Sequence, residues 1–139
     1  PATVKLAGKP LPELAPLGLS AGDVPADKPV LVLLLDAEQR PSRRALRLIT
    51  EQAEALKQKG LAVVIIQAGM MTDEAFAAWK QDSALPFPVA RFQDNPDRAK
   101  ASWGAAALPW LILTDKTRKV IAEGFAPDEL SSRLEALSQ

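Results

Sequence analysis

The chain has 139 residues, 47% of them apolar and 24% charged, and its 17 basic residues balance its 17 acidic residues. This composition is typical of one soluble globular domain, and it excludes disordered and collagen-like classes and a chain-wide basic surface for nucleic acid. The absence of cysteine, histidine and tyrosine excludes disulfides, thiolate nucleophiles, serine–histidine triads and imidazole or thiolate metal sites.

Residues 1–29 are an irregular N-terminal arm rich in proline and glycine. Because proline fixes φ and removes a backbone donor, no long regular element is expected there. A short edge strand is predicted over Thr3–Leu6, and three leucines are expected to pack against the core: Leu11, Leu14 and Leu17. The apolar run Val30–Leu35 then predicts a strand that is buried on both faces, as in a parallel sheet covered by helices.

A βαβ unit is predicted next. Pro41–Gly60 has apolar residues at helical spacing on one face, namely Leu46, Ile49, Ala53 and Leu56, and Gly60 supplies the C-terminal stop. Leu61–Gln67 is a second strand, and the crossover is expected to be right-handed. Val30–Leu35 and Leu61–Ile66 should therefore be adjacent, central and parallel.

The remaining predicted elements are shorter. In chain order they are a helix from Asp73 to about Gln81 capped by Thr72, an edge strand Val89–Phe92, a helix opened by Asp94-Asn95-Pro96 that runs to about Trp103, a hairpin of Trp110–Thr114 and Lys119–Ala122, and a helix Pro127–Ser138. This order predicts one α/β domain over residues 1–139, with a mixed central sheet of four or five strands and helices on both faces.

Membrane and export signals are not expected. No apolar run reaches the roughly 18 residues that suggest a transmembrane helix. No charged segment followed by an apolar segment opens the chain, so no signal peptide is predicted.

Several strings resemble one known family. Gly8–Leu14 resembles the opening segment of redoxins, the peroxiredoxin-like and thiol–disulfide-oxidoreductase branch of the thioredoxin superfamily. Val30–Asp36 followed by Gln39–Arg43 is similar to the first core strand and the start of the active-site helix. Trp103-Gly104 and Ala107–Asp115 resemble the proline loop and the hairpin strand after it. The resemblance covers about residues 8–139 and implies a thioredoxin-like three-layer sandwich.

The chain departs from this family at the reactive position. Redox-active members carry Cys-x-x-Cys, or one peroxidatic cysteine, at the start of the active-site helix. In that register Gln39 stands at the first cysteine position and Ser42 at the second, on either side of Arg40 and Pro41. A serine hydroxyl cannot replace a thiolate, because its pKa is far too high and it has no disulfide state. The resemblance therefore implies an active site without its electron carrier, and no cofactor or metal is expected.

Two features at this helix start each allow two interpretations. Ser42 is either a nucleophile at the positive end of a helix or the N-cap of that helix, and no histidine or neighbouring lysine is present to activate it. The dense cationic group is either a site for an anion or acidic partner, or a solvated cluster that is neutralised locally by Asp36 and Glu38. Its members are Arg40, Arg43, Arg44 and Arg47.

The resemblance also implies a second half of the site. Leu108-Pro109 is expected to be a cis peptide in a loop that presents backbone groups to an extended peptide. Gln39, Ser42 and Arg43 are expected to face this loop and Trp110 across a shallow groove. The predicted degenerate site comprises Gln39, Arg40, Pro41, Ser42, Arg43, Leu108, Pro109 and Trp110.

These observations favour a redox-inactive thioredoxin-fold module that binds a protein or peptide, or has a structural role. One alternative is a non-thiol enzyme that uses Ser42 or a carboxylate at the same groove. Another is a component of a redox pathway that docks reductases or copper carriers without turnover. A bacterial, extracytoplasmic parent protein, periplasmic or membrane-anchored, is favoured over a cytoplasmic one. The sequence does not identify the partner or the oligomeric state.

Overall fold

A five-stranded mixed sheet forms the centre of the molecule. The computed structural model describes residues 5–19, 21–92, 95–135 and 137. The sheet order is β3-β2-β1-β4-β5, with β1 at Val30–Leu35, β2 at Ala62–Gln67, β3 at Val89–Arg91, β4 at Trp110–Thr114 and β5 at Val120–Phe125. β1, β2 and β3 are parallel, whereas β4 is antiparallel to both β1 and β5. The predicted mixed sheet is confirmed, and so is the parallel pairing of its two long apolar strands.

Helices cover both faces of this sheet, as predicted. They are α1 Arg40–Glu51, α2 Ala53–Gln58, α3 Asp73–Ser83, α4 Pro96–Ser102 and α5 Leu130–Glu135. Side chains of α1, α2 and α5 pack in the core on one face, and Trp79 of α3 packs at its margin. Residues at and near α4 pack on the other face with the N-terminal arm. The crossovers from β1 to β2 and from β2 to β3 move across the sheet in the same direction. Because such crossovers are right-handed, their helices α1 and α3 lie on the same face.

The burial of β1 explains its uninterrupted apolar sequence. All six of its residues are 0% exposed. Val30, Val32 and Leu34 belong to the core shared with α4 and the arm. Leu31, Leu33 and Leu35 alternate with them along the strand and belong to the core beneath α1. Successive strand residues point to opposite faces, so a central strand with helices on both sides needs an apolar residue at every position.

The prediction of one helix over Pro41–Gly60 is wrong. The segment forms α1 and α2, which are separated at Gln52. The Gln52 side chain donates to the carbonyl of Leu48 at 3.2 Å, and its backbone N–H donates to the Ile49 carbonyl at 3.0 Å instead of to that of Leu48. The Thr50 hydroxyl also donates to the Leu46 carbonyl at 2.7 Å. These side chains compete with the backbone for helix carbonyls, and the helix breaks where they do so.

The other helices and strands match the predictions with shifted ends, except the first edge strand. Lys5 and Leu6 are not in a strand, because the Leu6 N–H donates to the Glu123 side chain, and the described part of the arm pairs with the sheet only through an isolated bridge between Pro10 and Lys119. Thr72 caps α3 by accepting a hydrogen bond from Ala75 N at 3.1 Å, as predicted. β5 extends to Phe125, and the C-terminal segment opens with a 3₁₀ turn, Pro127–Glu129, before α5 ends at Glu135. Three predicted positions lie outside the described residues: the Thr3 end of the first edge strand, Asp94 before α4 and Ser138 at the end of the last helix.

Asp115 organises the turn between β4 and β5. Its carboxylate accepts hydrogen bonds from the Thr117 hydroxyl at 2.6 Å and from the backbone N–H groups of Thr117 and Lys119 at 2.9 and 3.1 Å. These bonds, chiefly the one from the Thr117 hydroxyl, hold the pKa of Asp115 below its ordinary value. The turn is therefore held by the ionised carboxylate at neutral pH, and this contribution is lost as the pH falls through the lowered pKa.

The N-terminal arm is attached to the outer side of β5. Three backbone hydrogen bonds of 2.8 to 2.9 Å join residues 8–11 to residues 118–120. The Glu123 carboxylate accepts from the backbone N–H groups of Leu6 and Ala7 at 2.9 and 2.6 Å. Leu6, Leu11 and Leu14 are buried against the sheet. The arm is thus part of the folded domain, in agreement with the packing predicted for its leucines.

We expect Glu123→Ala to detach the start of the arm. The variant removes the acceptor of two backbone N–H groups, and we expect a loss of about 1–3 kcal/mol in the free energy of unfolding. Thermal unfolding measures this loss, and amide hydrogen exchange at Leu6 and Ala7 should become faster. Glu123→Gln is the matched control. It keeps an acceptor oxygen, so its free energy of unfolding should lie between those of the wild type and Glu123→Ala. Unchanged exchange at both amides in Glu123→Ala would contradict the assignment.

Candidate functional site

Two buried polar side chains hold the loop between β1 and α1. The hydroxyl of Ser42 accepts a hydrogen bond from Asp36 N at 3.0 Å. The side-chain oxygen of Gln67 accepts one from Ala37 N at 2.9 Å. Ser42 and Gln67 are both 0% exposed. Their side chains therefore supply the hydrogen-bond acceptors that water would otherwise give to the backbone N–H groups of Asp36 and Ala37. The conformation of the loop is fixed from beneath.

Gln67 also connects this loop to the one that follows β2. Its side-chain nitrogen donates to Asp36 Oδ1 at 3.5 Å and to the Gly69 carbonyl at 3.4 Å. The two loops approach so closely that a Cβ at Gly69 would lie 2.6 Å from the Asp36 carboxylate. Gln67 was not among the predicted site residues. The available signal was one polar residue at the carboxyl end of an otherwise apolar strand.

The interpretation of Ser42 as the N-cap of the helix is wrong. α1 begins at Arg40, and Gln39 is the N-cap residue, without a side-chain capping bond. Ser42 lies inside the first turn with Ala45 and Ile49 on the buried face of α1. Its hydroxyl is turned back toward the end of β1 rather than outward. The spacing of 42, 45 and 49 matches one helical face and was the signal for burial.

The arginines at the start of α1 form an exposed stripe. Arg40, Arg43, Arg44 and Arg47 stand at i, i+3, i+4 and i+7, opposite the buried face, and all four are exposed. In the described part of the chain, none forms an ion pair with Asp36 or Glu38, so the expected local neutralisation is not found. The Asp36 carboxylate is instead bonded to the backbone N–H of Glu38 at 3.1 Å and to Gln67.

The stripe is connected to the rest of the molecule by few contacts. The Arg43 guanidinium donates to the Ala37 carbonyl at 3.3 Å. Arg47 lies 3.8 Å from the Glu51 carboxylate, with both side chains more than half exposed. Exposed pairs of this kind contribute little to stability. Gln39 and Pro41 are exposed beside the stripe, so four of the five predicted site residues on this segment reach solvent and Ser42 does not.

The second predicted segment lies at the same edge of the sheet. Trp110 begins β4 opposite Leu34, next to the end of β1 from which α1 follows. The Leu108–Pro109 peptide bond is cis, and Leu108, Pro109 and Trp110 are half-buried. Within the described residues, the backbone groups of residues 106–108 have no hydrogen-bond partner. Antiparallel pairing of β4 with β1 is what brings the two segments to one edge.

Trp110 is held in place by a close backbone approach. Gly124 on β5 has φ +73°, and a Cβ there would lie 2.6 Å from the Trp110 ring. Glycine is required by both the backbone conformation and the contact. The indole Nε1 of Trp110 is buried with no partner among the described residues.

Neither a metal centre nor a membrane span is found in the described ranges. No group of three or more acidic, histidine or cysteine side chains there is placed to hold a metal ion. None of the helices described is long and apolar enough to cross a bilayer.

Comparison with solved structures identifies the fold. A hypothetical protein from Sinorhizobium meliloti matches 99% of this chain and 84% of its own at TM-score 0.69 and 19% identity. An uncharacterized thioredoxin-like protein from Porphyromonas gingivalis matches 81% and 77% at TM-score 0.68 and 17% identity. A putative thiol:disulfide interchange protein from Chlorobium tepidum matches 82% of each chain at TM-score 0.62 and 19% identity. No family model and no curated protein sequence matches the chain. The predicted thioredoxin-like fold is confirmed, in a chain that has no cysteine.

Proposed function

We propose that this thioredoxin-fold chain is a redox-inactive module that binds an extended segment of a partner protein at the edge formed by α1 and the Leu108–Pro109 loop. The binding residues are Gln39, Arg40, Pro41 and Arg43 on one side and Leu108, Pro109 and Trp110 on the other. Ser42 supports them from beneath. The absence of cysteine removes the thiolate on which dithiol chemistry depends.

One observation carries the peptide-binding part of the proposal. Residues 106–108 present backbone donors and acceptors without partners in the described part of the chain, beside half-buried apolar side chains. An extended peptide satisfies such groups by adding main-chain hydrogen bonds, and neighbouring side chains then supply specificity. The exposed arginines across the edge favour a peptide with a carboxylate near the bound segment.

The two alternative functions differ in what they require of this edge. A non-thiol enzyme that uses Ser42 needs an accessible hydroxyl with a base beside it, but Ser42 is 0% exposed and its oxygen accepts from Asp36 N. We therefore do not favour it. A docking component of a redox pathway uses the same groove without turnover, and only the identity of the bound partner separates it from the proposed module.

We propose that the parent protein is bacterial and lies outside the cytoplasm. Support comes from the structural neighbours, which include bacterial thiol:disulfide interchange proteins from Chlorobium tepidum and Bacteroides. Fractionation of cells that express the full-length tagged protein tests this placement. Recovery in the cytoplasmic fraction would contradict it.

We expect the wild-type domain to show no insulin reduction, disulfide isomerisation or peroxide reduction above buffer. Each reaction needs a sulfur nucleophile, and the chain has none. The three assays are run on metal-free protein, with a thioredoxin as the positive control. Turnover in any of them by protein free of contaminating enzyme would overturn the redox-inactive assignment.

We expect Arg40→Gln with Arg43→Gln to weaken partner binding with little change in stability. Substitutions on the surface usually change the free energy of unfolding by no more than about 0.5 kcal/mol. A photo-crosslinking residue at position 39 captures the partner from cells of the source organism, and titration measures its affinity for each variant. Lys57→Gln with Lys59→Gln is the control, because both lysines are exposed at the end of α2, near the opposite edge of the sheet. Failure to capture a partner, or equal binding by the arginine variant, removes the groove from the proposal.

A further inference from the structure

A second, apolar groove lies on the side of α1 that faces α3. Its volume is about 400 Å³. The half-buried side chains of Leu46, Trp79 and Leu85 form its floor and pack on the core beneath. Thr50 and Ser83 complete its sides. The groove shares Arg43 with the edge formed by α1 and the Leu108–Pro109 loop, but its floor is different, and none of the described residues after Leu85 lines it.

One wall of this α1/α3 groove is strongly cationic. Arg43 and Arg47 line it, and Arg40 and Arg44 continue the same exposed face of α1. Among the described residues that line the groove, Glu51 is the one acidic side chain, and it lies 3.8 Å from Arg47 in an exposed pair. Such a pair is loosely held and screened by water. The arginine stripe thus presents an excess of positive charge directly beside an apolar floor.

We propose that the α1/α3 groove binds an acidic amphipathic segment of a partner protein, with apolar side chains on the floor and carboxylates against the arginine stripe. An amphipathic helix laid in an apolar groove has its charged residues at the rim, where the stripe lies. Charge complementarity sets the sign of the partner, and an Arg guanidinium binds a carboxylate through paired hydrogen bonds. This proposal does not rest on the proposed function of the other edge.

The same charges argue against two other occupants. A symmetric contact with a second copy would use the same face of both molecules and bring two arginine stripes together. An anionic membrane attracts proteins through many basic residues spread over one surface, but the net charge of this chain is zero. Both occupants are outcomes of the test.

The test uses a fluorescein-labelled helical peptide whose leucine stripe is flanked by glutamates. Fluorescence anisotropy gives its affinity for the full chain. We expect it to bind at least tenfold more tightly than a peptide with lysines in place of the glutamates, and to weaken as salt is raised. Indole N–H resonances locate the binding, since Trp79 lies in the α1/α3 groove and Trp110 lies at the other edge. We expect the Trp79 resonance to shift and that of Trp110 to stay in place.

Three variants make the result specific. Arg47→Gln should weaken the glutamate peptide about two- to fivefold, and Lys57→Gln, with the same change of charge, should not. Ser83→Phe fills the groove without removing a core side chain and should weaken binding at least tenfold, with circular dichroism confirming that the variant folds. Equal affinity for the glutamate and lysine peptides overturns the proposal. A shift at Trp110 alone, self-association through α1, or binding only to vesicles of anionic lipid also overturns it.

Discussion

Replacing Gln39 and Ser42 with cysteine is expected to create a dithiol that forms an intramolecular disulfide and reduces insulin. Position 39 is exposed at the start of α1 and position 42 is buried one turn later, which gives one accessible and one protected sulfur. A helix start and nearby cations lower the pKa of a thiol, and Arg40 and Arg43 supply those cations. Thiol titration before and after oxidation measures the disulfide, and insulin precipitation with a small-molecule reductant measures turnover.

The single variants and one mixed outcome sharpen this experiment. Gln39→Cys alone should titrate as one reactive thiol, whereas Ser42→Cys alone should react slowly, because the side chain at position 42 is 0% exposed. Neither should catalyse turnover alone. A double variant that forms the disulfide but does not reduce insulin shows that the edge no longer admits an extended peptide, and this result counts against the proposed function. A double variant that forms no disulfide shows that the start of α1 differs in shape from the active-site helix of redox-active thioredoxin-fold proteins.

Gln67→Leu is expected to be among the more destabilising single substitutions, at about 2–4 kcal/mol of the free energy of unfolding. The side chains are similar in size, so the loss comes from polar groups. The buried Ala37 N–H loses its acceptor at 2.9 Å, and Asp36 and Gly69 lose the donor that links their loops. Urea unfolding measures the change, and hydrogen exchange at Ala37 should become faster.

Thr114→Val is the matched control for Gln67→Leu. The Thr114 hydroxyl accepts from the buried Val30 N–H at 3.0 Å, so the variant also removes one buried acceptor and should cost about 1–3 kcal/mol. Val30 and Thr114 lie at the edge of the sheet opposite the candidate site. Partner binding per folded molecule should therefore fall in Gln67→Leu and stay unchanged in Thr114→Val. If Gln67→Leu is as stable as the wild type, the claim that Gln67 holds the loop between β1 and α1 is wrong.

The pattern of apolar residues predicted the fold well, because burial in the core requires apolar side chains at the positions that face it. The run at β1 predicted a strand with two buried faces, and its six residues are all buried. The break at Gln52 was not predicted, because it depends on where the Thr50 and Gln52 side chains find carbonyls rather than on periodicity. Local hydrogen bonds of this kind move the ends of elements without changing their order.

The resemblance predicted which two segments form the candidate site, and partner binding there stays a prediction. The helix start and the proline loop lie at one edge of the sheet. Their side chains were predicted as site residues on the basis of the family resemblance. The inward orientation of Ser42 is local: it follows from the position of Ser42 on the same helical face as Ala45 and Ile49. Gln67 was missed because its contacts depend on the register between strands about thirty residues apart, and a single sequence does not display such contacts. The missing neutralisation of the arginines has the same origin, since Asp36 is engaged by Gln67.

The attachment of the N-terminal arm has a consequence for the solubility of the chain. A strand at the edge of a sheet offers unpaired backbone groups to any other chain, and aggregation begins at such edges. The two outermost strands of this sheet are β5 and β3. Residues 8–11 cover the start of β5, and β3 has only three residues. The described sheet therefore offers no long template for growth. A variant shortened past Leu11 would uncover the start of β5 and remove the buried side chains of Leu6 and Leu11 from the core. Expression trials with shortened N-termini should therefore produce more precipitate as that residue is passed.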